Sequence, residues 1–221
     1  MHRLTGSAGR VFLVACAAVV LGGCGSGHPP APAPTTPAGV ADSATGGLRG
    51  LVPTPKPVKP VFSLVDTSGH AYDFAKATGG KLTYLFFGYT HCPDACPATM
   101  SFLEYAIHQQ PAAVRRKISV VFVTVDPHRD SGPVLRRWLD HYNRGFVGLT
   151  GTPLQIETVE RAAGVPVATL TAASPKAAYE VEHSSLLFAY SPDDQAHVVY
   201  SQGFKPTDYA HDIPLLLAFK K

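Results

Sequence analysis

Two β-prone runs, residues 82–87 (LTYLFF) and 118–125 (ISVVFVTV), constrain this chain more than any other feature. Both are nearly continuous rather than alternating, so each reads as a strand buried on both faces. Helical spacing follows each run. Met100, Leu103, Ala106 and Ile107 share one side of residues 98–108, and Val134, Leu135, Trp138, Leu139 and Tyr142 mark a second amphipathic helix. Residues 146–149 read as a short strand and 153–163 as a helix with Thr152 at its N-cap. Val181 and residues 186–190 read as strand, 197–200 as the return of a hairpin around 191–194, and 208–220 as a closing helix. Upstream, 62–65 and 70–74 flank a turn and form a hairpin. The Ala-rich segment 169–178 reads as a flexible loop. Strands alternating with helices specify an α/β protein with a mixed central sheet and an added N-terminal β-hairpin.

The front of the chain is different. Residues 1–10 contain Arg3 and Arg10 and no acid, and an apolar stretch follows from 11 to 23. That is the pattern of a signal peptide, 1–23, too short to span a bilayer comfortably. Leu21, Gly22, Gly23 and Cys24 are similar to a bacterial lipobox, with Cys24 the residue that would receive lipid. Cys16 fits the same pattern but leaves too short an apolar region after Arg10. A plain secretory signal is the alternative. Nine of the chain's 20 prolines fall between residues 29 and 60. Such a segment buries too little apolar surface to offset its ordering entropy. Residues 24–60 are therefore expected to be a lipidated cysteine and a Pro/Ala-rich tether, and 61–221 the folded domain. The expected location is the extracytoplasmic face of a bacterial cell membrane.

Composition removes several classes. The net charge is +3, and losing Arg3 and Arg10 with the leader leaves 17 basic against 16 acidic residues. With no Lys/Arg run, nucleic acid is not an expected partner. Four cysteines are too few for a disulfide scaffold, and 45% hydrophobic residues is too many for a disordered chain.

Cys92 and Cys96 follow the first buried strand and precede a helix. In open α/β sheets this junction, at the carboxyl end of a strand, is where sites are built. Pro97 suits the first turn of a helix, so the regular helix is expected to begin near it, with 92–96 as a loop at its N-terminus. The positive end of the helix dipole favours thiolate there, and two soft thiolates suit Cu(I) or Zn(II). Three other readings stay open. The cysteines could be buried and inert, although Thr90, His91, Pro93 and Asp94 argue for exposure. They could form a structural disulfide closing a very short loop. They could be a redox dithiol, although the usual spacing has two intervening residues, not three.

The segment 88–97 (GYTHCPDACP) resembles the signature of the Sco/SenC copper proteins. Three more segments agree in order: 123–130 (VTVDPHRD), Trp138-Leu139 through 146–151 (FVGLTG), and 179–185 (YEVEHSS). The resemblance spans about residues 61–218. It implies a thioredoxin-like fold and a copper, Cu(I) or Cu(II), held by Cys92, Cys96 and His183. It also implies delivery of copper, or reduction of disulfides, during assembly of the CuA centre of cytochrome c oxidase. The partner would be the CuA-bearing subunit or another copper chaperone, with the membrane reached through the lipid anchor. The position of His183 just before strand 186–190 agrees, because residues opening that strand in such folds face the cysteine motif. Met100 is expected to be core rather than a thioether ligand. Asp126, Arg129 and Asp130 sit near the site and either tune it, dock a partner or fix their own turn. Tyr89 and Asp94 shape the loop, unless Asp94 simply caps the helix.

Two classes of function follow. One is a metallochaperone, which needs all three ligands. The other is a thiol–disulfide reductase that keeps oxidase or cytochrome cysteines reduced, which needs Cys92 and Cys96 but not His183; a redox or copper sensor is a further alternative. The two are linked, because an oxidised pair cannot bind the metal. A peroxidase on the same fold has no support in the residues around the cysteines.

Overall fold

A computed structural model describes residues 47–171 and 179–221. Among the described residues the strands are β1 Ser63–Asp66, β2 Ala71–Asp73, β3 Leu82–Gly88, β4 Ile118–Thr124, β5 Val147–Thr150, β6 Thr169–Thr171, β7 Glu180–Glu182, β8 Leu187–Tyr190 and β9 Ala196–Tyr200. The helices are α1 Phe74–Ala77, α2 Ala95–His108, α3 Ala112–Arg115, α4 Gly132–Asp140, α5 Pro153–Ala163 and α6 Pro206–Leu216. Seven strands form one sheet in the order β2-β1-β5-β4-β3-β8-β9, and β6 and β7 form a separate pair. β3 runs parallel to β4 and antiparallel to β8, so the sheet is mixed.

The two apolar runs are the central strands. Leu85, Phe86, Phe87, Val121, Phe122 and Val123 are all fully buried. Each such side chain contributes about 1.5–3 kcal/mol relative to exposure. The seven-residue register pairs Leu82 with Ile118 and Gly88 with Thr124. Both carboxyl ends therefore finish side by side, and the loops that follow them are neighbours. α5 begins as its sequence requires: Thr152 Oγ1 accepts from Gln155 N–H and the Gln155 side chain accepts from Thr152 N–H, a capping box. Gly164, with φ of 73°, ends it.

Several boundaries differ from expectation. The strand from residue 70 stops at Asp73, whose carboxylate accepts from Lys76 N–H and starts α1 in place of further strand. Phe74 then stacks on Phe62 with ring centroids 4.5 Å apart. Residues 169–171, expected to lie in a loop, pair antiparallel with 180–182 as β6 and β7. The rest of that loop, 172–178, lies outside the described residues, as do the leader and residues 24–46 of the expected tether, Cys24 included. Short α3 was not expected, and α6 ends four residues early, at Leu216.

The expected tether requires the largest correction. Residues 47–60 do not hang free but pack along β9. Leu51 bridges Val199 and Val58 bridges Gln195. Leu48 is buried, and the buried Lys59 Nζ pairs with Asp194 at 2.8 Å. Asp212, fully buried on α6, accepts from Arg49 N at 2.9 Å, Gly50 N at 3.0 Å and Tyr200 Oη at 2.8 Å. Gly50 fits because a Cβ there would fall 2.1 Å from Val198 Cγ1. Proline content hid this strap: it signals lost donors and stiffness but not a receiving surface. A chain beginning at residue 61 is expected to be less stable than one beginning at 47. Asp212→Ala is expected to lower the unfolding free energy by about 3 kcal/mol, because it strands several buried donors at once. Urea denaturation followed by circular dichroism checks both.

Candidate metal centre

The site is built at the carboxyl ends of β3 and β4. Cys92 is 9% exposed and Cys96 is fully buried, so the polar neighbours did not keep the pair at the surface. The helix begins earlier than Pro97 suggested: α2 starts at Ala95 and Cys96 lies in its first turn. Pro97 is third in the helix, where an N–H has no intrahelical partner to lose. Asp94 occupies the N-cap position but its side chain makes no capping bond. The Cys96 N–H instead points at Cys92 Sγ, 3.4 Å away. Cys92 is thus placed at the positive end of the helix dipole.

Gly88, the last residue of β3, makes room for Cys96. A Cβ at that position would sit 2.5 Å from Cys96 Sγ and 3.0 Å from the Phe122 ring. The sulfur therefore rests on bare backbone. The loop above is held by Asp130, which is fully buried. Its carboxylate accepts from Thr90 N at 2.9 Å, Thr90 Oγ1 at 2.5 Å and Thr124 Oγ1 at 2.7 Å. One side chain after β4 thereby fixes the residue two before Cys92.

His183 comes from the other direction, one residue beyond β7. Its Nε2 lies 3.8 Å from Cys96 Sγ across 87 residues of sequence. The ring meets Tyr89 edge-on, with centroids 5.4 Å apart and planes at 88°, and Phe86 likewise at 6.3 Å. Its Nδ1 lies 2.9 Å from the Ser184 carbonyl oxygen. A carbonyl only accepts, so Nδ1 carries the proton, and in the neutral ring the Nε2 lone pair faces the sulfurs. One donor atom from each of Cys92, Cys96 and His183 lies within 4.8 Å of the other two. Among the described residues no other group of His, Cys, Asp and Glu meets in this way. Cys92 and Cys96 are not joined in a disulfide.

The charges are divided unequally. The Cys96 thiol donates to Cys92 sulfur and is the main influence lowering the Cys92 pKa; burial opposes this, and His183 and the backbone N–H groups of Cys96 and Asp94 assist. The Cys92 pKa falls from 9.0 to about 4. Cys96 moves the other way, raised first by burial and then by its thiolate neighbour. Burial alone would lower the His183 pKa, but the hydrogen bond to Cys92 and the Ser184 carbonyl outweigh it, and the net shift is upward. The metal-free site therefore holds one thiolate, one thiol and a basic imidazole.

The donor set fits a soft or borderline ion such as copper or zinc. Bonds of about 2.0–2.3 Å in a trigonal arrangement separate donors by about 3.5–4.0 Å, which is the scale seen between Cys96 and His183. Met100 is fully buried in the core, as its helical position suggested. Asp126 and Arg129 form an ion pair that Tyr179 joins, its hydroxyl donating to Asp126 at 2.7 Å. Two residues of the matching segments have roles that the sequence reading did not assign. Gly88 was readable as a glycine closing a buried strand, which marks close approach. Tyr179 opens the matching segment 179–185, but its partners Asp126 and Arg129 lie some fifty residues away and no local pattern points to them.

Fold and donors together define a thioredoxin-like α/β protein with a candidate two-sulfur, one-imidazole metal site. The same architecture appears in ScoI of Bradyrhizobium japonicum with copper bound (TM-score 0.64, 28% identity, 72% of this chain and 99% of that one). Yeast Sco1 with copper bound is alike as well (TM-score 0.64, 25% identity, 72% and 87%). The SCO1/SenC family model matches residues 52–218, and the chain belongs to that family. A Stutzerimonas stutzeri protein named for copper binding is 36% identical over 134 residues, 61% of this chain and 64% of that one. Mitochondrial SCO2 of Saccharomyces cerevisiae is 33% identical over 134 residues, 61% and 44%. The match thus spans less than two thirds of these relatives' own lengths.

Two outcomes test this geometry. Thiolate ultraviolet absorbance of the reduced, metal-free protein should persist as pH falls and disappear near pH 4, because a lowered pKa keeps Cys92 charged down to that value. Cys96→Ser and His183→Ala should each move the loss to higher pH. Gly88→Ala should displace Cys96, cost about 1–3 kcal/mol of stability by overpacking and weaken metal binding at least about tenfold. Thermal unfolding and metal titration read the two effects separately.

Proposed function

We propose that this chain is a copper metallochaperone of the extracytoplasmic membrane surface, lipid-anchored at Cys24, that serves assembly of the CuA centre of cytochrome c oxidase. Cys92, Cys96 and His183 would hold one copper ion, as Cu(I) or Cu(II), which is cargo rather than a resident cofactor. The observation that carries the reading is the meeting of two sulfurs and an imidazole nitrogen brought from distant parts of the chain. Copper-bound relatives with the same fold support the choice of metal. The lipobox-like sequence before Cys24 supports the anchor, and family resemblance supports the oxidase role, with the CuA-bearing subunit or another copper chaperone as partner.

The arrangement suits a carrier. Two thiolates bind Cu(I) strongly, yet a three-donor set leaves the ion open to an incoming ligand. Cys92, which retains some exposure, is the sulfur an acceptor would meet first. Ionising Cys96 on metal binding releases a proton, so affinity rises with pH.

A thiol–disulfide reductase is the second reading, and the unequal acidity of the two cysteines favours it. Cys92 thiolate would attack a partner disulfide, forming a mixed disulfide and releasing one partner thiolate. Cys96, after losing its proton, would displace the second thiolate, leaving a Cys92–Cys96 disulfide and a reduced partner. A redox or copper sensor would use the same chemistry.

Copper titration distinguishes these readings. The reduced protein should bind one copper per chain. Cys92→Ser and Cys96→Ser should abolish tight binding of Cu(I) and Cu(II). His183→Ala should weaken Cu(II) beyond the roughly 10–100-fold typical of losing a ligand's outer partner. Unchanged Cu(II) affinity and spectrum in His183→Ala, with disulfide reduction intact, would sink the chaperone reading in favour of the reductase.

A further inference from the structure

We propose that Arg129 is a positioning residue that clamps the approach to His183 onto the cysteine loop and thereby sets the site's affinity for Cu(II) relative to Cu(I). The inference rests on the reading of Cys92, Cys96 and His183 as copper ligands.

Arg129 lies in the turn after β4 and touches three separate segments. Its guanidinium pairs with Asp126, which is 1% exposed, within its own turn. Nη1 donates to the Tyr179 carbonyl oxygen at 3.1 Å. The guanidinium carbon also lies 3.9 Å from the centroid of the Tyr179 ring and 5.6 Å from that of Tyr89. Tyr179 closes the circuit by donating its hydroxyl to Asp126. Tyr89 in turn supports the His183 ring edge-on. One cation thus joins the turn after β4, the residues leading into β7 and the loop carrying Cys92.

β7 needs such a brace. It is three residues long, pairs among the described residues with three-residue β6 alone and has one buried side chain, Val181. The main sheet does not hold it. Tyr179, four residues before His183, is where the brace reaches this arm. Planar guanidinium geometry matters, because one group must meet a carboxylate, a carbonyl and two ring faces at once.

The two copper states depend on this arm differently. Cu(I) is satisfied by soft sulfur, whereas Cu(II) prefers a tetragonal set with nitrogen. If His183 faces the sulfurs in only a fraction of molecules, apparent affinity for an ion that needs the imidazole falls by that fraction. Loosening the clamp therefore penalises Cu(II) selectively.

The test uses the full chain in detergent, with Arg129→Ala, Arg129→Lys and Tyr179→Phe. Cu(II) and Cu(I) affinities are measured against competing chelators, together with the Cu(II) absorption spectrum, thermal unfolding and the imidazole NMR signals of His183 in the metal-free protein. Arg129→Ala should weaken Cu(II) about tenfold or more while Cu(I) changes by less than about threefold, and the His183 signals should broaden or multiply. Arg129→Lys should fall between, since it keeps the charge and loses the fork, and Tyr179→Phe should show a smaller shift of the same sign. These two keep the test open should Arg129→Ala not fold. Equal losses for both ions that follow the melting temperature would overturn the proposal, as would unchanged Cu(II) binding with unchanged His183 signals. His183→Ala separates the two levels. If it leaves Cu(II) untouched, the ligand reading itself fails. If it weakens Cu(II) but Arg129→Ala adds further loss on that background, the clamp does not act through His183.

Discussion

The parallel pairing of β3 with β4 is the constraint from which the rest of the molecule follows. Seven consecutive pairs fix where both strands end, with Gly88 opposite Thr124. A slip of one residue would turn every side chain to the opposite face and break the aromatic core of Phe86 and Phe122. With the register fixed, the Cys loop leaves one strand beside the Asp126–Asp130 turn leaving the other. Asp130 then needs no long reach to hold Thr90. The antiparallel β8 on the other flank brings its lead-in, and with it His183, back to the same end of the sheet. The three donors converge because three strand ends coincide.

Inside this frame the electrostatics are economical. Two ionised sulfurs side by side in a buried site would repel, and the protein resolves this by giving the charge to Cys92 and the proton to Cys96. The imidazole is oriented by a backbone carbonyl one residue away, so no second carboxylate is brought near the sulfurs to fix it. Aromatic edges from Phe86 and Tyr89 close the remaining sides.

How far the sequence could be read depended on the range of the interactions involved. The central strands were legible because full burial writes itself as uninterrupted apolar residues. The α5 start was legible because capping is local, between Thr152 and Gln155. Cys92, Cys96 and His183 were singled out by motif and resemblance, and their proximity is a geometric fact that no local rule contains. What escaped was decided at a distance. Residues 47–60 look like linker until Asp212, more than 160 positions later, supplies an acceptor. Burial of Cys96 was missed because its neighbours His91, Pro93 and Asp94 are exposed while Gly88 and Phe122 receive the sulfur. The early start of α2 was misjudged because Pro97 is tolerated throughout a first turn, not only at its opening position.

The strap along β9 has one more effect. A sheet whose last strand is uncovered offers its unpaired amides and carbonyls to any passing chain. Here the opposite border, β2, is only three residues long. The strap itself carries Pro53, Pro55, Pro57 and Pro60, none of which has a hydrogen to donate. Its outward side is therefore a poor template. Copies of the molecule crowded together at high local density would find little on either flank from which to grow a continuous ribbon.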